Sequence, residues 1–193
     1  MTSTALQLRQ DTYTNICAST GLVQGEVAFD VTRGAILAGS SGGAGGMHWI
    51  TPFTGTWTPT IVGDTTPGGQ TYSRQIGYYT KISTLVIAQC RITVVNTTAG
   101  TGAADIGGLP FAAASQSSNY WGGSVGWIAS VAHQSTSYNQ FGCVVVMSSA
   151  GTLGRITESG GNAALGTVNI TQLSTAGADM VLTFIYQAAT DST

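Results

Sequence analysis

One segment, residues 82–95, constrains the fold more than any other part of this 193-residue chain. It reads ISTLVIAQCRITVV, is rich in β-branched residues and contains neither Gly nor Pro, which indicates a single long β-strand. Successive side chains of a strand point to opposite faces, and the more apolar face is predicted to meet the core. Gln89 and Arg91 would then meet solvent or a neighbouring subunit. The predicted core face comprises Ile82, Thr84, Val86, Ala88, Cys90, Ile92 and Val94.

The remainder of the chain shows the same pattern in shorter pieces. Apolar runs such as 141–147 and 180–187 are separated by Gly-rich turns, among them DTTPGG at 64–69. No long segment has the period of an amphipathic helix. Short strands joined by such turns are typical of β-sandwiches and jelly rolls. We therefore predict an all-β fold, with an N-terminal hairpin module and a C-terminal antiparallel β-sandwich of jelly-roll type.

The first fifty residues read as a separate module. Val27, Phe29 and Val31 alternate with less apolar residues, Arg33-Gly34 forms a turn, and 35–38 returns as a second strand. The sequence SSGGAGG at 40–46 has the composition of a flexible linker. A lone hairpin is not stable, so the module should need a partner. We predict an N-terminal module over 1–50 and a β-sandwich over 51–193.

The low charge of the chain is the main compositional signal. Charged residues make up 7% of the sequence, against about 25% in ordinary soluble domains. No basic stripe indicates nucleic-acid binding, and no apolar run is long enough to span a membrane. The N-terminus lacks the pattern of a secretory signal, so synthesis in a cytoplasm is expected. Charge-poor surfaces suit burial against copies of the same chain.

Catalytic, cofactor and metal sites are not indicated. The carboxylates are scattered, Ser124 lies outside a GxSxG motif, and the two histidines, His48 and His133, lack metal-binding spacing. The Gly-rich segment at 40–46 lacks the Lys and Ser/Thr of a phosphate-binding loop. Three cysteines without CxxC spacing, Cys17, Cys90 and Cys143, are expected to be reduced and structural. We predict a protein that is not an enzyme and takes no cofactor or metal.

Two later segments, residues 117–123 and 133–140, combine aromatic rings with amide and hydroxyl side chains, the mixture that holds sugars. Both flank a strand near Trp127 and could share one end of the sandwich, where loops often carry function. The alternative is that Trp121 fills the core or a subunit interface and that the tyrosines are ordinary loop residues. The glycan- or receptor-binding candidates are Asn119, Tyr120, Trp121, His133, Tyr138 and Asn139.

Three further aromatic residues, Trp57, Tyr78 and Tyr79, also allow two interpretations. They could line a groove, or they could pack in the core and at a subunit interface. We favour the packing interpretation, because they lie at the start of the predicted outer domain, directly after the linker.

The N-terminal module resembles the first module of tailed-bacteriophage fibre and appendage proteins, which opens with an L-x-x-R-x-x-T phrase followed by G-E-x-A-F-D-x-x-R. The matching residues are Leu6, Arg9, Thr12, Gly25, Glu26, Val27, Ala28, Phe29, Asp30 and Arg33. The chain departs from the family at the end of the hairpin, where Gly39-Ser40-Ser41-Gly42 replaces a G-D-G turn. The resemblance implies docking to the virion, with Leu6, Arg9, Glu26, Phe29 and Arg33 as anchor candidates.

The outer domain is similar to phage fibre domains of the GTWTPT…YTKI…GLPF type. The phrases lie in order at 55–60, 79–82 and 106–111, with a closing TFIY at 183–186. The resemblance implies a homotrimeric, non-enzymatic virion subunit, assembled in the host cytoplasm, that contacts other virion proteins through residues 1–50. Contact with a host-surface polysaccharide or receptor through C-terminal loops is expected. The alternatives are a purely structural head, neck or tail decoration protein and a capsule-degrading enzyme.

Overall fold

The computed structural model describes residues 9–12, 24, 26–32, 34–39, 47–49, 51–115, 121–148, 151–161, 163–173 and 177–189. Strands dominate this part of the chain, and the helical element found within it is the 3₁₀ turn Ile170–Leu173. The predicted all-β class is therefore confirmed. The chain divides into two compact units, one of residues 1–53, 81–84 and 191–193 and one of residues 54–80 and 85–190.

The first unit contains a four-stranded sheet of β1 (Arg9–Asp11), β2 (Val27–Asp30), β3 (Ala35–Gly39) and β4 (Met47–Trp49). β2 and β3 form the predicted antiparallel hairpin, whose turn contains Gly34 at φ +63° and an Asp30 carboxylate that accepts a 2.9 Å bond from Thr32 N–H. β1 pairs with β2 in parallel, and β4 pairs with β3 in antiparallel orientation. The predicted linker at 40–46 lies outside the described residues, and the division at residue 50 remains a prediction.

The second unit is built on one ten-stranded sheet. The strand order is β5-β7-β8-β14-β10-β11-β12-β9-β6, and β13 pairs with β12 beside this path. The strands are β5 (Phe53–Trp57), β6 (Thr60–Gly63), β7 (Gly69–Ile82), β8 (Leu85–Thr98), β9 (Ala104–Gly107), β10 (Trp121–Ala129), β11 (Gln140–Ser148), β12 (Gly151–Gly160), β13 (Ala163–Thr167) and β14 (Asp179–Gln187).

The two ends of this strand order meet in space. Only Thr58 and Pro59 separate β5 from β6 along the chain, yet these strands stand at opposite ends of the order. Because successive Cα atoms are 3.8 Å apart, the end of β5 and the start of β6 lie within about 11 Å. The sheet must therefore curl back on itself, which encloses one face as a core and exposes the other.

β10 passes from one layer of the curled sheet to the other. Its first residues, Trp121 and Gly122, pair with Val145 and Val144 of β11, whereas the residues from Gly123 onward pair with β14. A Cβ atom at Gly123 would lie 2.6 Å from the Cys143 sulfur, so the close approach at this corner requires glycine. One layer comprises β5, β7, β8 and β14, and the other comprises β6, β9, β11 and β12.

Register places the apolar faces of β8 and β14 together on the core side. Val86 lies opposite Tyr186, Ala88 opposite Phe184, Cys90 opposite Leu182 and Ile92 opposite Met180, and all eight side chains are buried. Residues of the facing layer, among them Ile61, Ile106, Val145 and Ile156, complete the core. The predicted core face is therefore confirmed from Val86 to Val94. Cys90 and Cys143 are free thiols in this core, as predicted, and Cys17 lies outside the described residues.

The predicted start of the long strand is wrong. Ile82 closes β7, Ser83 and Thr84 form a turn in which Ser83 takes φ 50°, and β8 begins only at Leu85. Alternation does not continue across a turn, so Ile82 does not share the core face of β8. Its side chain is 41% exposed.

A charged network joins three parts of the second unit. Arg155 in β12 donates two hydrogen bonds, of 2.7 and 2.8 Å, to the carboxylate of Asp105 in β9 and one of 2.9 Å to Asp64. Asp105 is completely buried, so it needs this partner to offset the loss of hydration. The hydrogen bond from Arg155 to Asp105 also raises the pKa of the guanidinium. The network is structural, because it fixes β9 and the turn after β6 against β12.

Candidate functional site

The loop of residues 131–139, between β10 and β11, contains three of the predicted binding residues. The His133 ring stacks on Phe141, with centroids 4.1 Å apart and planes 9° apart. His133 Nδ1 lies 3.1 Å from a carboxylate oxygen of Glu158 in β12. Which of the two groups donates in this contact depends on the tautomer of the imidazole ring. The same carboxylate accepts a 3.1 Å bond from Gln134 N–H, which fixes the start of the loop.

Further hydrogen bonds hold the rest of the 131–139 loop. Gln172 Nε2 donates to Ala132 O at 2.6 Å, Tyr138 N–H to Ser135 O at 3.1 Å and Asn139 N–H to Ser159 O at 3.0 Å. The Tyr138 ring lies close over Gly166 in β13, where a Cβ atom would stand 2.7 Å from the Tyr138 hydroxyl. The loop exposes hydroxyl and amide side chains to solvent, namely Gln134, Ser135, Thr136, Ser137 and Asn139. It therefore presents polar groups on a backbone that is already ordered, which lowers the entropy lost on binding.

Glu158 holds the start of this loop, and the sequence did not predict that role. Glu158 is completely buried and lies two residues after the buried Ile156. Because residues two apart in a strand share a face, Glu158 lies on the core side of β12. A single acidic residue at a core-facing strand position needs a hydrogen-bond donor. That rule could have predicted a partner for Glu158, although nothing in the sequence identifies His133 as the partner, because 25 residues separate the two.

Trp121 does not join the 131–139 loop in one site. It opens β10, is half-buried against the core, and donates from Nε1 to Ala114 O at 3.3 Å. Trp121 lies opposite Val145, and His133 stacks on Phe141, so about 13 Å of β11 separates them. The described residues therefore place Trp121 away from the loop, and a shared end of the sandwich for the two segments stays a prediction. Asn119 and Tyr120 lie outside the described residues.

The outer face of the layer formed by β7, β8, β14 and β10 carries unusually large apolar side chains. We call this surface the apolar outer face. Its exposed members are Ile76, Tyr78, Leu85, Ile87, Trp127 and Ile185, each between 36% and 57% exposed. Trp127 reaches this face through a bulge at Gly126, since Val125 opposes the buried Leu182 whereas Trp127 opposes Val181. Without the extra residue, alternation would turn Trp127 toward the core.

Two hollows flank Tyr78 on this face. One has a volume of about 340 Å³ and the other of about 250 Å³, and both are lined by Tyr78 and Gln89. The larger also involves Thr54, Gly55, Thr56, Tyr79, Thr80 and Ile87, and the smaller involves Ile76, Cys90, Arg91 and Val181. Tyr78 therefore stands as a ridge between two depressions.

The aromatic residues at 57, 78 and 79 have different environments. Trp57 is buried in the core, as the packing interpretation predicts, and its Nε1 lies 3.3 Å from Tyr78 O and 3.2 Å from Gln89 O. Tyr79 is half-buried and meets Phe111 edge to face at 5.1 Å. Tyr78 is 55% exposed beside the two hollows, so it does not pack in the core of its own chain, and its packing at a subunit interface stays a prediction.

A paired charge lies within the apolar outer face. Arg91 donates to the carboxylate of Asp179 at 3.1 and 2.6 Å, and Thr93 Oγ1 donates to the same carboxylate at 2.9 Å. The hydrogen bonds from Arg91 hold the pKa of Asp179 below its ordinary value. Further along the same face, Gln89 Nε2 in β8 donates to Thr183 Oγ1 in β14 at 3.3 Å. The polar groups of this face therefore have partners within the chain.

The predicted anchor residues are only partly described. Glu26 precedes β2 and accepts a 2.8 Å bond from Gly39 N–H through its carbonyl oxygen, and Phe29 in β2 is half-buried. Arg9 belongs to β1, and its backbone pairs with Ala28. Leu6 and Arg33 lie outside the described residues.

Neither a metal-binding cluster nor a membrane-spanning helix occurs in the described ranges. These ranges contain no group of three or more His, Cys, Asp and Glu side chains close enough to hold a metal ion. They also contain no helix that is long and apolar enough to cross a membrane.

Comparison with known proteins gives a likeness of fold. The chain matches no protein-family model and no curated protein. Its structure is similar to that of the Dettilon tailspike protein, with a TM-score of 0.53 and 14% sequence identity. The aligned region covers 70% of this chain and 23% of the tailspike chain, so this chain corresponds to less than a quarter of that protein.

Proposed function

We propose that the protein is a subunit of a bacteriophage tail appendage and resides in the virion. The observation that supports this proposal is the likeness of its fold to a tailspike protein, joined to the low charge content of the chain. The fibre-like phrases at 55–60, 79–82 and 106–111 point the same way. Mass spectrometry of purified particles, with antibody labelling of the tail, tests this assignment. Absence of the chain from particles would contradict it.

The N-terminal unit is proposed to dock onto other virion proteins. Its exposed polar surface includes Gln10 and Thr32, and its sheet is small, which is consistent with a module that gains stability from a partner. Charge reversal by Glu26→Lys should reduce incorporation into particles while the second unit stays folded. Incorporation equal to that of the wild type would count against docking through this residue.

The 131–139 loop is proposed to contact a polysaccharide or receptor on the host surface. Its backbone is held by Glu158, Ser159 and Gln172, and its exposed hydroxyl and amide groups can read sugar hydroxyls. Several copies in one appendage would turn weak contacts into useful avidity. No reaction is proposed, and the chain is taken to bind rather than to cleave.

Loop variants test this binding role. Thr136→Ala and Asn139→Ala should each weaken binding of the full chain to host cells by about fivefold, because a hydrogen bond in a binding site contributes about 1 kcal/mol. Thr71→Ala, at an exposed position of β7, is the matched control and should leave binding unchanged. Release of oligosaccharides from host polysaccharide would favour the depolymerase alternative. Failure to bind any host surface would favour a purely structural subunit.

A homotrimer is proposed as the assembled state. Low charge suits surfaces that are buried between copies, and symmetric assembly is the usual route by which identical chains bury them. Light scattering of the full chain gives its mass directly, and three chains per particle is the expected result.

A further inference from the structure

We infer that the apolar outer face, centred on Ile87, Ile185 and Tyr78, is the interface through which a second copy of this chain binds. The inference rests on the proposed function, because it assigns a surface to the proposed self-assembly. Each copy would turn this face of the β7–β8–β14–β10 layer toward the threefold axis of the proposed trimer, where it packs against the same layer of both neighbours.

The extent of the face fits an interface core. Four adjacent strands span roughly 19 Å, and the six steps from Leu85 to Arg91 add about 20 Å along the strands, which gives roughly 400 Å² in projection. Stable interfaces bury about 800 Å² on each partner, with an apolar centre and a polar rim. The apolar outer face is thus large enough to form the centre of such an interface.

The charges on this face favour an uncharged partner. Arg91 and Asp179 form a bidentate pair, and Gln89 bonds to Thr183, so the main polar groups of the face are already satisfied. A nucleic acid or an acidic partner would have to break the Arg91–Asp179 pair or leave it uncompensated. A second copy of a chain with 7% charged residues presents no such conflict.

The surface shape of the apolar outer face favours a second copy of this chain as the partner. Tyr78 and Trp127 project as the two most exposed aromatic rings among the residues whose burial is described, and the two hollows beside Tyr78 lie on the same surface. Ligand pockets for drug-sized molecules occupy about 300–1,000 Å³, and the hollows of about 250 and 340 Å³ lie at or below the small end of this range, with room for single side chains. A face that carries both projections and depressions lets the rings of one copy enter the hollows of the next copy around a threefold axis.

A glycan fits this face less well than it fits the 131–139 loop. Four of its exposed members, Ile76, Leu85, Ile87 and Ile185, are aliphatic and cannot bond to sugar hydroxyls. Aliphatic groups of this kind gain most from contact with other apolar side chains, which removes them from water. The occupant to which we commit is therefore a second copy.

Sedimentation equilibrium of the full chain tests the inference. The wild-type chain should associate, and Ile185→Lys or Ile87→Lys should raise the dissociation constant at least about 30-fold, the effect of losing a central hot spot of about 2 kcal/mol. The matched control is Leu165→Lys in β13, where the native side chain is 69% exposed outside this face. The control should associate like the wild type.

Several outcomes would overturn the inference. A wild-type chain that stays monomeric up to about 100 µM has no such interface. Association that is unchanged in both lysine variants, with folding verified by circular dichroism, places the interface elsewhere. If the lysine variants do not fold, Ile185→Thr and Ile87→Thr retain the β-branch, and both should still weaken association. In a further test, acrylamide quenches the fluorescence of Trp127. If host polysaccharide protects Trp127 from this quenching and a higher chain concentration does not, the apolar outer face binds glycan and the inference is overturned.

Failure of this inference is distinguishable from failure of the proposed function. Presence of the chain in purified tails is measured on particles, independently of the association constant in solution. A chain that is found in tails yet associates through another surface refutes the interface alone. A chain that associates through this face but is absent from particles refutes the virion assignment alone.

Discussion

Gly154 in β12 packs directly against the ring of Phe184 in β14, across the two layers of the sandwich. A Cβ atom at position 154 would lie 2.5 Å from Phe184 Cζ and 2.6 Å from Cε1. Phe184 is completely buried, and the atoms of β12 that face its ring at position 154 are backbone atoms. Neither the ring nor the strand can therefore move away without disturbing the packed core. The absence of a side chain at position 154 therefore sets the spacing of the layers at this point.

Gly154→Ala should destabilise the fold by about 1–3 kcal/mol, the usual cost of forcing an extra methyl group into a packed core. Urea unfolding measures this cost as a lower midpoint at unchanged slope. Gly122→Ala is the matched control, because a Cβ atom there meets nothing within 4 Å. Phe184→Leu should recover part of the loss in the double variant, and additive effects of the two changes would contradict direct contact.

Arg155→Met should be more damaging than its partial exposure suggests. It leaves the completely buried Asp105 without the bidentate partner that lies 2.7 and 2.8 Å away. Removing one partner of a buried ion pair costs about 3–5 kcal/mol. Arg91→Met removes an equally bidentate arginine from an exposed position and should shift the urea midpoint much less. Similar shifts for the two variants would argue that Asp105 is solvated in the folded protein.

The Arg91–Asp179 pair predicts a specific pH dependence. Arg91 lowers the pKa of Asp179 in the folded state, so the pair stabilises the fold above the ordinary aspartate pKa of about 3.9 and loses this effect as pH falls through the lower folded value. Asp179→Asn should be less stable than the wild type from pH 5 to 8, and the difference should vanish in acid. Chemical unfolding at several pH values measures this. High salt should shrink the difference at neutral pH, and a salt-independent gap would point to packing instead.

The two core cysteines should be inert in the native state. Burial raises the pKa of both the Cys90 and Cys143 thiols to about 12, so almost no thiolate forms near neutral pH. In a Cys17→Ser background, a thiol-reactive disulfide reagent should label no site until the protein unfolds, and two sites afterwards. Rapid labelling of the folded chain would show that the core opens locally.

The all-β fold class could be predicted from the sequence for a physical reason. Alternation along residues 86–94 and the apolar composition of 180–187 encode faces, and a strand with one apolar face must bury it. The hairpin at 27–38 was predictable because alternation and a glycine turn are local signals. In contrast, the turn at Ser83-Thr84 contains neither Gly nor Pro, so the composition of 82–95 concealed the break between β7 and β8.

The candidate site was less predictable, because it depends on long-range pairing. Glu158 and His133 meet only because β11 and β12 pair beside the loop, and no local pattern encodes that contact. The exposure of Trp127 depends on a one-residue bulge, whose location the glycine at 126 suggests but does not determine. Tyr78 and Tyr79 are neighbours in sequence, yet strand alternation sends one to the surface and the other toward Phe111.

The position of β14 has a consequence for when this chain can fold. β14, the final strand in the described part of the chain, pairs on one side with β8 and on the other with β10, so the middle of the outer layer is missing until the ribosome has made residue 187. Sheets dominated by such distant pairings fold in milliseconds to seconds, and the nascent chain must wait unpaired during synthesis. Any chain that ends before β14 exposes the apolar edges of β8 and β10. Truncated products should therefore aggregate or be degraded, and only finished chains would be available for assembly.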